Sequence, residues 1–327
     1  MKRTISIDTG NRKMKTIHHV FHSSFMESKY VPTIGGGDVL NYEGKTYTLV
    51  DEILPVLNDK TVDERYFILS LFAMGKELFD DAKTLRKLTP DAHINVKLLI
   101  GLPLQHYEAY REKFEQYFIK RKNVIQFELN GKPYSVKIIG AHCYPQAYSA
   151  ALTIFETLKD SNIVNICDIG GFTVDCLQLD KFSPNMKLCT SLYWGVNELF
   201  QAINNQMRST GGRDISNSII EGILKKDPAD LAEYSDKRIN TVTSAALSHV
   251  ERMLAEIEQK GFDFEEDKTV FVGGGSILLE EYIKETGKVK KPIFIDDVHA
   301  NAKGYRIQFT IENGGKGSVK SKQPHGA

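Results

Sequence analysis

The sequence predicts an α/β protein made of two similar lobes, and three observations carry that expectation. A strand that ends in Asp-x-Gly and turns back as a second strand occurs twice, at Asp8-Thr9-Gly10 and at Asp168-Ile169-Gly170. A third strand, Val270-Phe271-Val272, runs into Gly273-Gly274-Gly275-Ser276 and then into a helical pattern. Around these junctions, strand-like apolar runs alternate with segments whose apolar residues recur at helical spacing. At 327 residues the chain is long enough for about two domains, each with its own core.

Composition narrows the class of partner. Hydrophobic residues make up 41% and charged residues 26%, the balance of a soluble globular protein. Lys plus Arg and Asp plus Glu number 42 each, so a broad basic surface for gripping nucleic acid is not indicated. The four cysteines, Cys143, Cys167, Cys176 and Cys189, include no CxxC pair, which argues against zinc and thioredoxin-like chemistry. Cys167 and Cys176 lie in apolar runs where a reduced thiol acts as a small hydrophobe, which suits a reducing cytoplasm. Met1-Lys2-Arg3-Thr4 leads straight into a strand, so neither a signal peptide nor a membrane span is expected.

In chain order, Ile5 to Asp8 is a strand, followed by a glycine turn and a return strand near Lys15. Residues 27 to 60 read as further short strands, with Gly35-Gly36-Gly37 as a loop and Glu43-Gly44 as a turn. Helical spacing runs from Asp63 to Leu85, a buried strand from Asn95 to Leu102, and an aromatic-faced helix from Gln105 to Lys120. Asn130-Gly131 marks a hairpin between Phe127 and Val136. Pro145 fits the first turn of an alanine-rich helix continuing to Leu158, with Gln146 in that first turn. Then come the hairpin Ile163–Leu179, a strand Leu188–Leu192 and a helix opened by Trp194-Gly195-Val196-Asn197. Helices are expected over 215–226 and 236–260, then from Ile277 to Thr286. A short strand at Phe294-Ile295 and a helix starting at Val298 close the ordered pattern. Residues 313–327, rich in Gly, Lys and Ser, lack periodicity and read as a disordered tail.

The hairpins carry the chemistry. Glycines let backbone N–H groups approach a ligand, and successive N–H groups at a turn form an anion-binding concavity. A carboxylate beside such a turn suits hydrated Mg²⁺ on a nucleotide better than bare phosphate. Asp8 and Asp168 each stand beside such a turn. Thr9, Gly10, Asn11 and Lys15 form one phosphate segment; Gly170, Gly171, Phe172 and Thr173 form the other. Lys15 supplies a point charge for phosphate, where a lone lysine would otherwise read as a solvated strand residue. Gln146 is a candidate for orienting a water. Gly273, Gly274, Gly275 and Ser276 enter a helix start where a planar group or phosphate can lie against the backbone, and Gly195 opens another.

Together these motifs resemble the actin-like ATPase superfamily, which includes actin, the ATPase domain of heat-shock chaperones and sugar kinases. The matching residues are Asp8-Thr9-Gly10-Asn11 with Lys15, Pro145-Gln146-Ala147, Asp168 to Asp175, Val272-Gly273-Gly274-Gly275, and Ala300-Asn301-Ala302-Lys303-Gly304. They follow the family's order and cover the chain almost end to end. Within the superfamily the chain is most similar to plasmid-segregation actins of the ParM/StbA group. The marks are Leu99-Ile100-Gly101-Leu102-Pro103-Leu104 before an aromatic-rich helix, and the compact length without the chaperones' insertions. ParM proteins often carry glutamate where Gln146 stands, whereas actin carries glutamine.

The resemblance implies an actin-like (ribonuclease H-like) fold, with two lobes around a nucleotide cleft. Lobe I is expected over 1–150 with 300–312 returning to it, and lobe II over 151–299. It implies ATP or GTP with Mg²⁺ held through waters by Asp8 and Asp168, water positioned by Gln146 with help from Asp175, and phosphates gripped by the two glycine turns. It further implies a cytoplasmic, self-assembling filament that segregates plasmid DNA. Its partner would be a ParR-like centromere-binding adaptor, so DNA contact would be indirect and no membrane is involved. The alternatives are a sugar or acid kinase of the same fold, with Asp175 as base, and a nucleotide-binding scaffold that does not polymerise.

Overall fold

The structure, a computed structural model, describes residues 1–28, 37–52, 54–80 and 93–315. Packing divides the chain into two units, Met1–Thr153 with His299–Ala327, and Ile154–Val298.

The first unit holds a nine-stranded sheet in the order β3-β2-β1-β7-β9-β8-β5-β6-β4. Its leading strands are β1 (Lys2–Thr9), β2 (Lys13–Lys15), β3 (Val20–His22) and β4 (Phe25–Ser28). They are followed by β5 (Val39–Tyr42), β6 (Lys45–Leu49), β7 (Ile94–Leu102), β8 (Ile125–Leu129) and β9 (Lys132–Pro145). β1, β7 and β9 run parallel, and the remaining pairings are antiparallel. Parallel strands covered on both faces need apolar residues throughout, and Leu98 to Ile100 with Leu102 meet that need, all buried. Two hairpins turn on the expected residues. Glu43-Gly44 and Asn130-Gly131 each place two successive residues at positive φ, the geometry whose twist matches flanking strands.

Helix α1 (Arg65–Asp80) buries Tyr66 to Leu69 and Leu71 to Met74 against the sheet; the expected continuation to Leu85 lies outside the described residues. Helix α2 (Leu104–Ile119) starts after Pro103 and buries Phe114, Tyr117 and Phe118, so the aromatic stripe is core. α3 (Tyr148–Leu152) packs on α10 (Ala300–Glu312), the last described helix. Tyr305 of that helix stacks on Tyr144, with centroids 6.0 Å apart.

The second unit repeats the leading half of this plan. Its five strands lie in the order β12-β11-β10-β13-β14: β10 (Ile163–Ile169), β11 (Val174–Asp180), β12 (Ser183–Leu192), β13 (Lys268–Val272) and β14 (Pro292–Phe294). An antiparallel meander joined to two parallel strands is the arrangement of β3-β2-β1-β7-β9 as well. Helices α5 (Val196–Ser209), α6 (Asn217–Leu224), α8 (Asp236–Gln259) and α9 (Gly274–Glu285) fill its core through Leu199, Ile203, Ile220, Val250, Leu254 and Leu279.

Several local expectations need correction. Pro145 is the last residue of β9, paired with Leu102, not the first turn of a helix. Proline is compatible with a strand end because the missing N–H breaks no interior ladder. The expected helix to Leu158 is two short ones, α3 and α4 (Phe155–Leu158). Gly274 and Gly275 belong to α9 itself, so that helix starts earlier than the apolar pattern indicates. β12 begins at Ser183, well before Leu188, and α7 (Pro228–Glu233) had no expected counterpart. Of the glycine loop, Gly35 and Gly36 lie outside the described residues; so does the tail from residue 316, while Asn313 to Gly315 cap α10.

A Cβ at Gly304 would run into the carbonyl oxygen of Ser149, backbone against backbone. Alanine gains up to about 1 kcal/mol in helix propensity over glycine, but overpacking costs about 1–3 kcal/mol and no flexible side chain can yield here. Gly304→Ala is therefore expected to lower stability in urea unfolding, and a midpoint at or above wild type would contradict this packing.

Candidate functional site

In the first unit the end of β1 carries a buried carboxylate. Asp8 is 1% exposed, and its partners come from distant parts of the chain. Lys15, directly opposite in the β1–β2 register, donates Nζ to Asp8 Oδ2 at 3.2 Å. Gln146, just past the end of β9, donates Nε2 to Asp8 Oδ1 at 2.5 Å. Tyr305 adds a longer hydroxyl contact to Oδ1 at 3.4 Å. A carboxylate out of water needs such partners, and here one is cationic and two are neutral donors.

Beside it, Thr9 donates Oγ1 to the Gly101 carbonyl at 2.9 Å, tying the turn to β7. Asn11 Oδ1 accepts from the Tyr66 hydroxyl at 2.6 Å. Asn301 Oδ1 accepts from Ala147 N–H at 3.0 Å, which fixes the residue after Gln146 in a positive-φ conformation. The amide of Gln146 presents its NH₂ to Asp8, so its oxygen is the pole able to accept a hydrogen bond from water.

In the second unit the same hairpin recurs with one change of charge. Asp168 faces Asp175 across β10 and β11 as Asp8 faces Lys15. Thr173 donates Oγ1 to Asp175 Oδ2 at 3.4 Å. The glycines correspond too: a Cβ on Gly10 would strike the Lys13 carbonyl oxygen, and one on Gly170 would approach Thr173 O at 3.2 Å. Helix α5 is sewn to this turn by its own backbone. Gly195 N–H donates to Phe172 O at 3.2 Å, and Asn197 N–H donates to Gly171 O at 2.8 Å. A side chain at Gly195 would collide with the backbone of Gly171 and Phe172.

Gly273, between β13 and α9, has φ +95, and a Cβ there would meet Asp168 Oδ1 and the Ile169 carbonyl. Gly274 has nothing within 4 Å of its Cβ position. Ser276 is buried and donates Oγ to Gly273 O at 2.8 Å, so its hydroxyl serves the helix start.

Behind Gly195 stands His249, only 1% exposed. Its Nε2 lies 3.2 Å from the Trp194 carbonyl and its ring meets the indole edge-on, with centroids 5.0 Å apart. Because a carbonyl can only accept, Nε2 carries the proton, and Nδ1 has no hydrogen-bond partner among the described residues. Burial first, and the nearby Arg252 charge, push this imidazole's pKa down to about 4, against the hydrogen bond to Trp194 that favours the charged form.

The residues expected from sequence thus gather into two clusters. Asp8, Thr9, Asn11, Lys15 and Gln146 form one in the first unit; Asp168, Thr173, Asp175 and the glycines 170, 171, 195 and 273–275 form the other in the second. Sequence reasoning missed Lys60, 3% exposed, which donates Nζ to the Thr9 carbonyl and, at 3.2 Å, to Thr9 Oγ1. It also missed Tyr305 as a partner of Asp8 and His249 as a support of Trp194. Among the described residues no cluster of three or more Asp, Glu, His or Cys is placed to cage a metal. A single carboxylate at the strand end of each unit, Asp8 or Asp168, would suit an ion such as Mg²⁺ that keeps its waters, rather than one needing a protein cage.

Two family models that together span most of the chain place it among the actin-like proteins. Residues 6–148 match the family described as actin-like proteins, N-terminal domain, and residues 166–285 match archaeal actin homologue MreB-like, C-terminal. Among solved structures, the archaeal actin homologue Ta0583 is similar at 17% identity, over 94% of this chain and 99% of its own, with a TM-score of 0.71. A 15-stranded ParM filament from Clostridium botulinum is similar at 16% identity, over 95% and 99%, with a TM-score of 0.69. Ta0583 in complex with ADP matches at 16% identity, over 94% and 99%, also at 0.69. At these identities the likeness is one of fold. A search of curated proteins finds no match. Among the described residues no helix is long and apolar enough to cross a membrane.

Two outcomes test this geometry. Gly273→Ala should destabilise the second unit, whereas Gly274→Ala should match or exceed wild type by up to about 1 kcal/mol, since its Cβ meets only open space. Equal unfolding midpoints for the two variants would contradict the assigned junction. The second concerns acid. Unfolded His249 takes up a proton near pH 6.5, folded His249 only near 4, so the unfolded state binds more protons in between. Stability is therefore complete above pH 6.5 and falls by about 3 kcal/mol towards pH 4 on this account. The single tryptophan, Trp194, reports it by fluorescence, and the acid step should shrink in His249→Phe.

Proposed function

We propose that the protein is a nucleotide-dependent, filament-forming ATPase of the actin-like class, acting in plasmid segregation. The observation that carries the reading is the ring around Asp8: a glycine turn, Lys15 and Gln146, drawn from remote parts of the chain onto one buried carboxylate. Phosphoryl transfer to water needs little covalent chemistry and depends on placing charge and one water molecule, which is what these groups supply. Backbone N–H groups at Thr9 to Asn11 and at Gly170 to Thr173 would hold phosphates, with Lys15 neutralising charge. Asp8 and Asp168 would hold Mg²⁺ through its waters, and the ion would supply neutralisation of phosphate charge. Asp175, opposite Asp168, would help to order the same shell. The open space at Gly274 supports a planar base lying against the start of α9, because no structural demand in the chain itself explains a glycine there.

Gln146 would orient the attacking water through its amide oxygen while Nε2 anchors it to Asp8. An amide cannot take the proton, so its role is positioning. The chain's balanced charge fits DNA contact made through a ParR-like adaptor rather than directly. Self-assembly is supported by a structurally similar filament, and nucleotide binding by the ADP complex of another similar protein.

Light scattering and pelleting of the pure protein test the reading. Polymer is expected with ATP and Mg²⁺ and is expected to be lost with EDTA; absence of nucleotide-dependent polymer across concentrations would overturn the filament proposal. Gln146→Ala should slow phosphate release by about 100-fold while nucleotide binding persists. Undiminished release would remove Gln146 from the mechanism.

A further inference from the structure

Lys60 occupies a position that lysine rarely takes. Its side chain is buried in the first unit at a turn before α1, with Nζ donating to the Thr9 carbonyl and to Thr9 Oγ1. The ammonium also lies 5.0 Å from the centroid of the Tyr66 ring. Tyr66 in turn donates its hydroxyl to Asn11 Oδ1 at 2.6 Å. The neighbouring acid, Asp59, is engaged elsewhere, accepting from Lys113 Nζ at 2.5 Å and from Thr61. Burying an ammonium is costly, so its place beside Thr9 is a specific one.

The consequence follows from peptide geometry. In a trans peptide the C=O and the following N–H point to opposite sides. Lys60 takes the Thr9 carbonyl, so the Gly10 N–H is turned away from Lys60. Ser23 Oγ donates to the Gly10 carbonyl at 2.6 Å, so the Asn11 N–H is turned away from Ser23 in the same manner. Ser23 N–H holds the Arg12 carbonyl at 3.0 Å. The oxygens of the turn are thus gripped by the protein, which is how a run of N–H groups becomes a concavity for an anion.

We propose that Lys60 is a positioning residue for the phosphates of a bound nucleotide. Its buried ammonium orients and polarises the Thr9–Gly10 peptide, so that the Gly10 and Asn11 N–H groups meet a phosphoryl oxygen, and Tyr66 keeps Asn11 in register. This rests on the nucleotide reading above. Lys15 on the facing strand supplies the direct charge; Lys60 acts through the backbone.

The test is binding of fluorescent N-methylanthraniloyl-ATP with Mg²⁺, alongside adenosine as a phosphate-free competitor. Lys60→Met should weaken the triphosphate by about ten-fold or more, the scale of a lost charge-assisted hydrogen bond, with adenosine changed less than about two-fold. Equal weakening of both probes, or unchanged triphosphate affinity, would overturn the proposal, because a merely structural role does not distinguish them. If Lys60→Met does not fold, as judged by circular dichroism, Tyr66→Phe decides. Triphosphate binding weakened by about three-fold with adenosine unchanged supports the proposal, and unchanged triphosphate binding overturns it. Wild-type protein that binds neither probe would defeat the nucleotide reading itself, a result separable from failure of the Lys60 variants alone.

Discussion

A carboxylate out of water must be partnered, and Asp8 imposes that demand on the whole first unit. Removing one partner of a buried ion pair costs about 3–5 kcal/mol, so the groups around Asp8 are not free to drift. Lys15 must lie opposite it, which sets the β1–β2 register; Gln146 must arrive at the end of β9; Tyr305 must present its hydroxyl from α10. Three close approaches follow from bringing these elements together. Gly101 makes room for the Tyr305 ring, Gly304 for the Ser149 carbonyl, and Gly10 for the Lys13 carbonyl. The local chemistry and the global fold are therefore one constraint, read at two scales.

The second unit shows what changes when the same hairpin carries a different charge. Its strand order and turn repeat those of the first, but Asp175 stands where Lys15 stands. Like charges directly opposite on neighbouring strands are unfavourable, whereas the Asp8 hairpin sets its carboxylate opposite Lys15. The support behind the second turn is apolar and aromatic, with His249 and Trp194 backing Gly195.

Much of this was legible in the sequence because local patterns determine it. Asp-x-Gly after an alternating strand marks a hairpin whether it recurs at Asp8 or at Asp168, and Asn130-Gly131 names its turn type outright. The periodicity of α1 and α2 reflects faces that must be buried. What escaped has a common cause, namely pairing across long sequence distances. Lys60 sits among Asp59, Thr61 and Asp63, a polar run that reads as solvated, yet its acceptor is a carbonyl 51 residues away. Pro145 satisfies both a helix start and a strand end, and only the ladder with Leu102 decides between them. Gly273 looked like one of three loop glycines, although its positive φ and its contact with Asp168 distinguish it from Gly274.

The central proposal is that the glycine turn of each unit and the start of α9 contact nucleotide. Hydrogen–deuterium exchange with peptide-level readout, with and without ATP and Mg²⁺, tests it directly. Added protection is predicted in the segments containing residues 8–11, 170–173 and 273–276. No added protection in these segments, or protection only in segments away from them, would contradict the account.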